Sequence, residues 1–314
     1  MTYHLEPTSD TLRGCISMEF EPCLTIDSGD TVIASTLDAA WGVEAPPKDG
    51  SPRKKFEPRE LPRDRGHCLV GPIEVRGARP GQTLAVEIIA VEPGDYGWNV
   101  AGAWSTPLND RLGVSDAPEF LSVWNLDEAR AHWLSRSGWR VASRPFLGVM
   151  GMPPPEPGHH STFPPRVWGG NLDCKELVAG TTLYLPIPVD GALFSFGDGH
   201  GLQGDGEVSS TAIECPMRKV ELRLSVTDSP TLVSPRAKTA EGWLTFGLAK
   251  DLDTAMGLAV DDMLNLMCDE YGIGRSEALS LASLVVDLRI TQVVNGVQGV
   301  HAVLPHGALN RDLG

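Results

Sequence analysis

The chain has 314 residues, 41% of them hydrophobic, and a formal net charge of −15. The acidity argues against nucleic acid and anionic membranes as partners, and no run of eighteen apolar residues supplies a membrane span. Six cysteines without a C-x-x-C spacing and a polar opening segment, Met1 to Glu6, indicate free thiols, no signal peptide and a cytoplasmic location.

Residues 17–37 read as strands punctuated by Ser28-Gly29-Asp30, and residues 44–66, with five prolines and the Arg53-Lys54-Lys55 run, as a long solvated loop. That loop is expected to be a flexible surface excursion rather than a binding patch. Strands resume at 68–75 and 83–91 around the Arg79-Pro80-Gly81 turn. Residues 96–148 carry Trp98, Trp104, Trp124, Trp133 and Trp139, a density that suits a pocket wall or subunit interface as well as ordinary core. A short helix is expected from Leu126 to Leu134, capped by Asn125 or Asp127. Prolines from Pro153 to Pro165 then impose an extended loop. His159 and His160 read as exposed there, while Asn171 and Asp173, two apart, share a face or cap a turn.

Strands dominate from 182 to 226. Asp253 is then expected to cap a helix whose Met256, Leu258, Ala259, Met263, Leu266 and Met267 recur at helical spacing and which Gly272 ends. A shorter helix, 276–284, precedes a final strand at 285–294. The chain reads as one unit over 1–314, mainly β, with a Trp-rich insertion at 96–148 and a helical pair at 253–284.

The densest chemistry lies in Phe194-Ser-Phe-Gly-Asp198-Gly-His200-Gly-Leu-Gln203-Gly-Asp205-Gly-Glu207, followed by 208–213, which is β-branched and apolar. This reads as a hairpin, with Asp198 and His200 on one side of the first strand and Glu207 opening the return strand. Oxygen and nitrogen donors without thiolate favour Zn²⁺, Mn²⁺, Fe²⁺ or a harder cation. Residues 199–204 also match G-x-G-x-x-G, but a strand rather than a helix follows, and Asp198, Asp205 and Glu207 would repel phosphate. An EF-hand loop fails for want of acidic residues at the required positions. One Asp-Gly pair would be explained by turn chemistry alone; Gly-Asp-Gly-His and Gly-Asp-Gly-Glu within eleven residues are not.

These residues resemble the acetamidase/formamidase family. The resemblance rests on Gly169-Gly-Asn-x-Asp173, on the Gly197-Asp-x-His200-x-x-Gln203-Gly-Asp-Gly-Glu207 run and on Ile213-Glu214. It extends through Thr36-x-Asp38-Ala, Gly71-Pro-Ile-x-Val75 and Gln292-Val-Val-Asn295, from about residue 20 to about 305. It implies a jelly-roll-like β-sandwich with long loops and hydrolysis of acetamide or formamide, by members some of which contain metal. Gln82 departs from the acidic residue usual after the Pro-Gly turn, and Arg53–Lys55 and 98–139 look like elaborations of the pocket.

An amide needs an activated carbonyl and a protonated leaving nitrogen, tasks for a divalent cation and a carboxylate. The metal is expected to be zinc, with manganese or calcium as alternatives. Its expected ligands are Asp173, Asp198 and His200, with His67 as a weaker fourth. Glu207 is the expected general base; Asn171 and Gln203 would hydrogen-bond the amide, and Asp38 would ligate or stand behind a ligand. Cys174 is a rival nucleophile, while no G-x-S-x-G elbow supports a serine. A small neutral amide is the expected partner, and the tryptophans suggest a homodimer or higher homo-oligomer. The other readings are a non-catalytic metal- or ligand-binding β-sandwich and an amidase of a larger or cyclic amide. A structural Ca²⁺ site has no use for His200 or a free Glu207 carboxylate.

Overall fold

A computed structural model describes residues 1–47 and 51–310, so positions 48–50 of the proline-rich loop lie outside the described residues. The chain is mainly β. A nine-stranded sheet runs in the order Thr2–Leu5, Asp30–Ala34, Met217–Thr227, Thr83–Pro93, Thr182–Pro186, Arg236–Lys238, Gly242–Ala249, Gln298–Pro305 and Asp287–Gln292. A second sheet orders Gly169–Asn171, Phe146–Gly151, Phe194–His200, Leu69–Val75 and Leu12–Arg13, with Leu24–Ile26 also pairing to Leu69–Val75.

The alternation that builds the first sheet is plain in its longest pair. Leu84, Val86 and Ile88 on one strand, and Val220, Leu222 and Leu224 on the other, are fully or almost fully buried while intervening residues meet solvent. In the second sheet the strands Phe146–Gly151 and Phe194–His200 are buried at every position, as expected of strands covered on both faces. Residues of both sheets share one apolar core, including Val86, Leu222, Ile73, Leu147, Phe194 and Phe196. At about 25 cal/mol per Å² of apolar area, this shared core is the main source of stability.

Residues 96–148 form a four-stranded sheet, Tyr96–Ala101, Phe120–Leu126, His132–Ser135 and Arg140–Ala142, with a short helix Pro107–Leu112. No helix forms at 126–134, contrary to the periodicity. Asp127 Oδ1 instead accepts from the amides of Ala131 and His132, at 2.8 and 3.2 Å, and Arg130 takes a φ of 56°. This closes a hairpin in which Leu126 pairs with Trp133.

The expected return strand at 208–213 is likewise absent. Beyond His200 the chain loops and rejoins Phe194–His200 only through Gly201–Ile213 and Cys215–Gly199 hydrogen bonds; the next strand begins at Met217. Glycines at 204 and 206 favour this excursion over a ladder.

The helical pair is Leu252–Tyr271 and Arg275–Val285, packed with Gly242–Ala249 and Gln298–Pro305 in a second apolar cluster. Its N-cap is Asp251, whose side chain accepts from Thr254 N at 2.8 Å, rather than Asp253, which lies in the first turn. The strand expected last, Asp287–Gln292, is followed by Gln298–Pro305, which lies beside it in the sheet. Among the described residues no helix is long and apolar enough to cross a membrane.

Candidate active site

Strand Phe194–His200 delivers the first donors. Its neighbour Phe146–Gly151 runs antiparallel, pairing Phe146 with His200 and Leu147 with Gly199. A Cβ on Gly148 would come within 2.5 Å of both Asp173 Oδ1 and Asp198 Oδ2 and within 2.8 Å of His200 Cε1. Three functional groups therefore converge on a point that only a glycine leaves open. Asp173, Asp198 and Glu207 all sit at positive φ, 47°, 58° and 45°. Backbone held in this region by its surroundings concentrates at functional sites.

His200 is fixed at both ring nitrogens. Gln203 Nε2 donates to the carbonyl of Asp173 at 2.7 Å, which turns Gln203 Oε1 toward His200 Nδ1 at 2.9 Å. Nδ1 must then carry the proton, and Nε2 faces Asp198 Oδ1 at 3.4 Å and Glu214 Oε2 at 3.5 Å. Both carboxylate oxygens, and Asp173 Oδ1, are buried without a hydrogen-bond partner. The other Asp173 oxygen accepts from Asn295 Nδ2 at 2.5 Å, and Glu214 Oε1 from the amide of Ala212 at 2.9 Å.

Two overlapping donor groups result, Asp173–His200–Glu207 and Asp198–His200–Glu214, in each of which the donor atoms lie within 4.8 Å of one another. So many buried carboxylates cannot all ionise unaided. Burial pushes Asp173 up to about 6, against the opposing pull of His200. Burial likewise raises Glu214 to about 7, and burial together with the Asp173 charge holds Glu207 well above the usual carboxylate range. For His200 burial acts downward, but the Glu214 and Asp198 carboxylates outweigh it and hold the imidazole well above its ordinary value. Asp198 is held low, because the charges of His200 and His67 outweigh its burial. The site thus demands positive charge among its oxygens, and hard oxygen donors with one imidazole suit a divalent cation. A third acidic cluster, Glu176–Asp205–His301, is instead neutralised by Arg144, Arg289 and Lys175.

A cavity of about 440 Å³ opens onto these groups. Asp173, Asp198, Glu207, Glu214, Asn171 and His67 all line it. Asn171 Nδ2 donates to the carbonyl of Phe163 at 3.0 Å, leaving Oδ1 buried and unpartnered. His67 Nδ1 pairs with Thr162 Oγ1 at 2.8 Å, and its ring packs on Phe163; it stands on the wall, outside both donor groups. Trp98 and Trp104 from the insertion form another wall, and mutual hydrogen bonds between the backbones of Trp98 and Glu214 tie that sheet to the site.

Gln203, expected to hydrogen-bond the amide, has both ends of its own amide engaged, with His200 Nδ1 and the Asp173 carbonyl. Asp38 is fully buried and bound by Arg53 at 2.6 and 3.0 Å, by the amides of Ala40 and Gly42, and by Trp98 Nε1 at 3.3 Å. It buttresses the wall and belongs to neither donor group. Residues 51–67 are not a free excursion, since Lys55, Arg59, Arg65 and His67 line the cavity. Cys174 is fully buried, its thiol pushed up by burial, and it lines no part of the cavity.

Glu214, Asn295 and Gly148 were not singled out as site residues by sequence. Glu214 and Asn295 both stood in the family-like segments, which was the available signal; Gly148 sits in an unremarkable apolar run.

Residues 155–308 match the profile of the acetamidase/formamidase family. An acetamidase from Mycolicibacterium smegmatis is 26% identical over 199 residues, 46% of this chain and 49% of that one. The chain spans about half the length of the sequence relatives it matches. The solved structure of an acetamidase from Bacillus halodurans superimposes with a TM-score of 0.82 at 28% identity, covering 96% of this chain and 97% of that one. One from Thermoanaerobacter tengcongensis, described as an acetamidase/formamidase, gives 0.84 at 29%, covering 97% and 96%. With both sheets, the converging carboxylates and the long motif accounted for, the chain is similar to the acetamidase/formamidase family in residues 155–308 and to solved acetamidase structures over nearly its whole length.

Proposed function

We propose that the chain hydrolyses a carboxamide to the carboxylate and ammonia, with a divalent cation held by Asp173, Asp198, His200 and Glu214 and with Glu207 as general base. The observation that carries this reading is the convergence of three unpartnered buried oxygens on His200: Asp198 Oδ1 and Glu214 Oε2 face its Nε2, and Asp173 Oδ1 lies with the imidazole against Gly148. Zinc suits a mixed oxygen and imidazole set, with manganese next; histidine is a poor calcium ligand. When bound, the cation supplies Lewis acidity toward the amide carbonyl and lowers the pKa of water.

The remaining work falls to side chains. Glu207 lines the cavity and is kept basic by burial and by Asp173, so it takes a proton from the attacking water. It returns that proton to nitrogen as the C–N bond breaks, and ammonia leaves while the water oxygen stays on the acyl carbon. Asn171 Oδ1, free of any other partner, accepts an N–H of the carboxamide and orients its carbonyl. Such positioning, with water excluded from a buried floor, lowers the entropic part of the barrier.

The similarity to an acetamidase makes short amides the first substrates to try. Ammonia release from formamide, acetamide and propionamide would be measured before chelation, after it, and after adding back Zn²⁺ or Mn²⁺. Release that chelation stops and metal restores is the expected result. Undiminished release from fully demetallated protein would remove the metal from the mechanism. Assembly as a homo-oligomer is part of the proposal, supported by exposed Phe120 and Trp139 on or beside the four-stranded sheet; light scattering on the eluted protein tests it.

A further inference from the structure

The cavity is larger than a short amide requires: about 440 Å³ falls in the range, roughly 300–1,000 Å³, that takes drug-sized ligands. Its two ends carry opposite charge. The floor is formed by the buried carboxylates Asp173, Asp198, Glu207 and Glu214, whereas Lys55 and Arg65 are exposed at the mouth and Arg59 is half-buried beside them. Between them stand the aromatic side chains of Trp41, Trp98, Trp104 and Phe163.

The cations are concentrated against the trend of the molecule. Six of the chain's 26 lysines and arginines fall in residues 53–65, with only Glu57, Glu60 and Asp64 as acids among them, although the whole chain carries −15. Arg53 and Arg63 are committed to Asp38 and Asp64, and Arg59 is shared between Glu57 and the face of Trp41, its guanidinium 5.8 Å from the ring centroid. Lys55 and Arg65 have no ion-pair partner among the described residues, yet both face the cavity. Partial burial, then Arg53 and Arg59, hold Lys55 below the usual lysine range, which is the mark of a cationic spot that an anion would relieve.

We infer that the substrate is a monoamide of a dicarboxylic acid. Its carboxamide lies at Asn171 and Glu207, its apolar or aromatic spacer lies along the tryptophans, and its carboxylate lies on Lys55 and Arg65. This rests on the amidase reading above and adds the acyl group. The local positive rim of an otherwise acidic protein steers a small anion into this opening.

The test compares 4-carbamoylbenzoate with its neutral counterpart 4-methylbenzamide, and both with acetamide, on the metal-loaded enzyme. The expected result is a kcat/KM ratio, anionic over neutral, of about 5-fold or more at low salt, falling as ionic strength rises. In the Lys55→Gln/Arg65→Gln double variant the ratio should fall toward one. A wild-type ratio at or below one, or a ratio the double variant leaves intact, overturns the inference while hydrolysis of acetamide still upholds the amidase reading. Should no amide be hydrolysed, calorimetric binding of the same two compounds decides. A preference for the anion that the double variant loses sustains the rim's assignment, and equal binding or none overturns it.

Discussion

Gln203 Oε1 lies 2.9 Å from His200 Nδ1 while the same side chain donates to the backbone of Asp173, so one amide sets both the tautomer of the imidazole and the position of a carboxylate. The proposed role of His200 Nε2 as a ligand depends on that arrangement, because a proton moved to Nε2 would turn it into a donor.

Replacing Gln203 by methionine keeps the volume and removes both bonds. Metal affinity should fall about 10- to 100-fold, as is usual when the partner of a ligating histidine is lost. Competition with a chromogenic chelator measures this directly. Unchanged affinity would show that Phe146, packed edge-on against the imidazole at 5.0 Å, is enough to hold the ring.

Glu207 lies within reach of Asp173 and His200 as a donor and also lines the cavity, where the proposed base would act. Glu207→Gln separates the roles. As a base its loss should lower kcat by about 10²- to 10⁴-fold with metal content intact. If metal analysis instead finds the variant empty, Glu207 is a ligand and the base must be sought elsewhere in the cavity.

Gly148→Ala is the severest small change available at the floor. A methyl group 2.5 Å from Asp173 Oδ1 and Asp198 Oδ2 cannot be accommodated without moving one carboxylate. Activity and metal should be lost together, while the cost in stability stays within the usual 1–3 kcal/mol of overpacking. A variant that keeps wild-type metal content would show that the floor is wider than its glycine suggests.

How far these residues were legible beforehand follows from how each is delivered. Asp198, His200, Gln203 and Glu207 lie within ten residues, so their density alone marked them, and the long strands around them showed their alternation. Glu214 follows a strand, expected at 208–213, that does not form; the loop from Gly201 returns only at Ile213, and the orphaned Oε2 emerges from that turn. Asn295 reaches Asp173 across 122 positions, a pairing that only the finished sheet creates. The helix expected at 126–134 failed because apolar spacing was ambiguous and the Asp127 turn favoured a hairpin. The basic run at 53–65 looked like solvated loop because charge was counted and position was not; Arg53 folds inward onto Asp38 and carries its neighbours over the cavity.

That same segment gives the pH prediction. Asp64 is buried, takes two hydrogen bonds from Arg63 at 3.0 and 2.7 Å, and accepts from the amides of Glu60 and Gly14 at 2.8 and 3.1 Å, pinning the cavity rim to the N-terminal strands. Burial works against its ionisation, but Arg63 and the two amides outweigh it and hold the carboxyl below its ordinary range. A folded pKa below the unfolded one means that the unfolded chain binds the proton first as pH falls. The stabilisation is therefore complete above the ordinary aspartate value, about 4, and is lost as pH drops from there through the folded value. Asp64→Asn should cost about 1.5–3 kcal/mol at neutral pH, the range for hydrogen bonds to a charged group. The difference in melting temperature between wild type and variant should then shrink steadily below about pH 4. A gap that stays constant from pH 7 to pH 3 would mean that Asp64 contributes shape and not charge, and that the rim is held by the backbone of residues 60–66 alone.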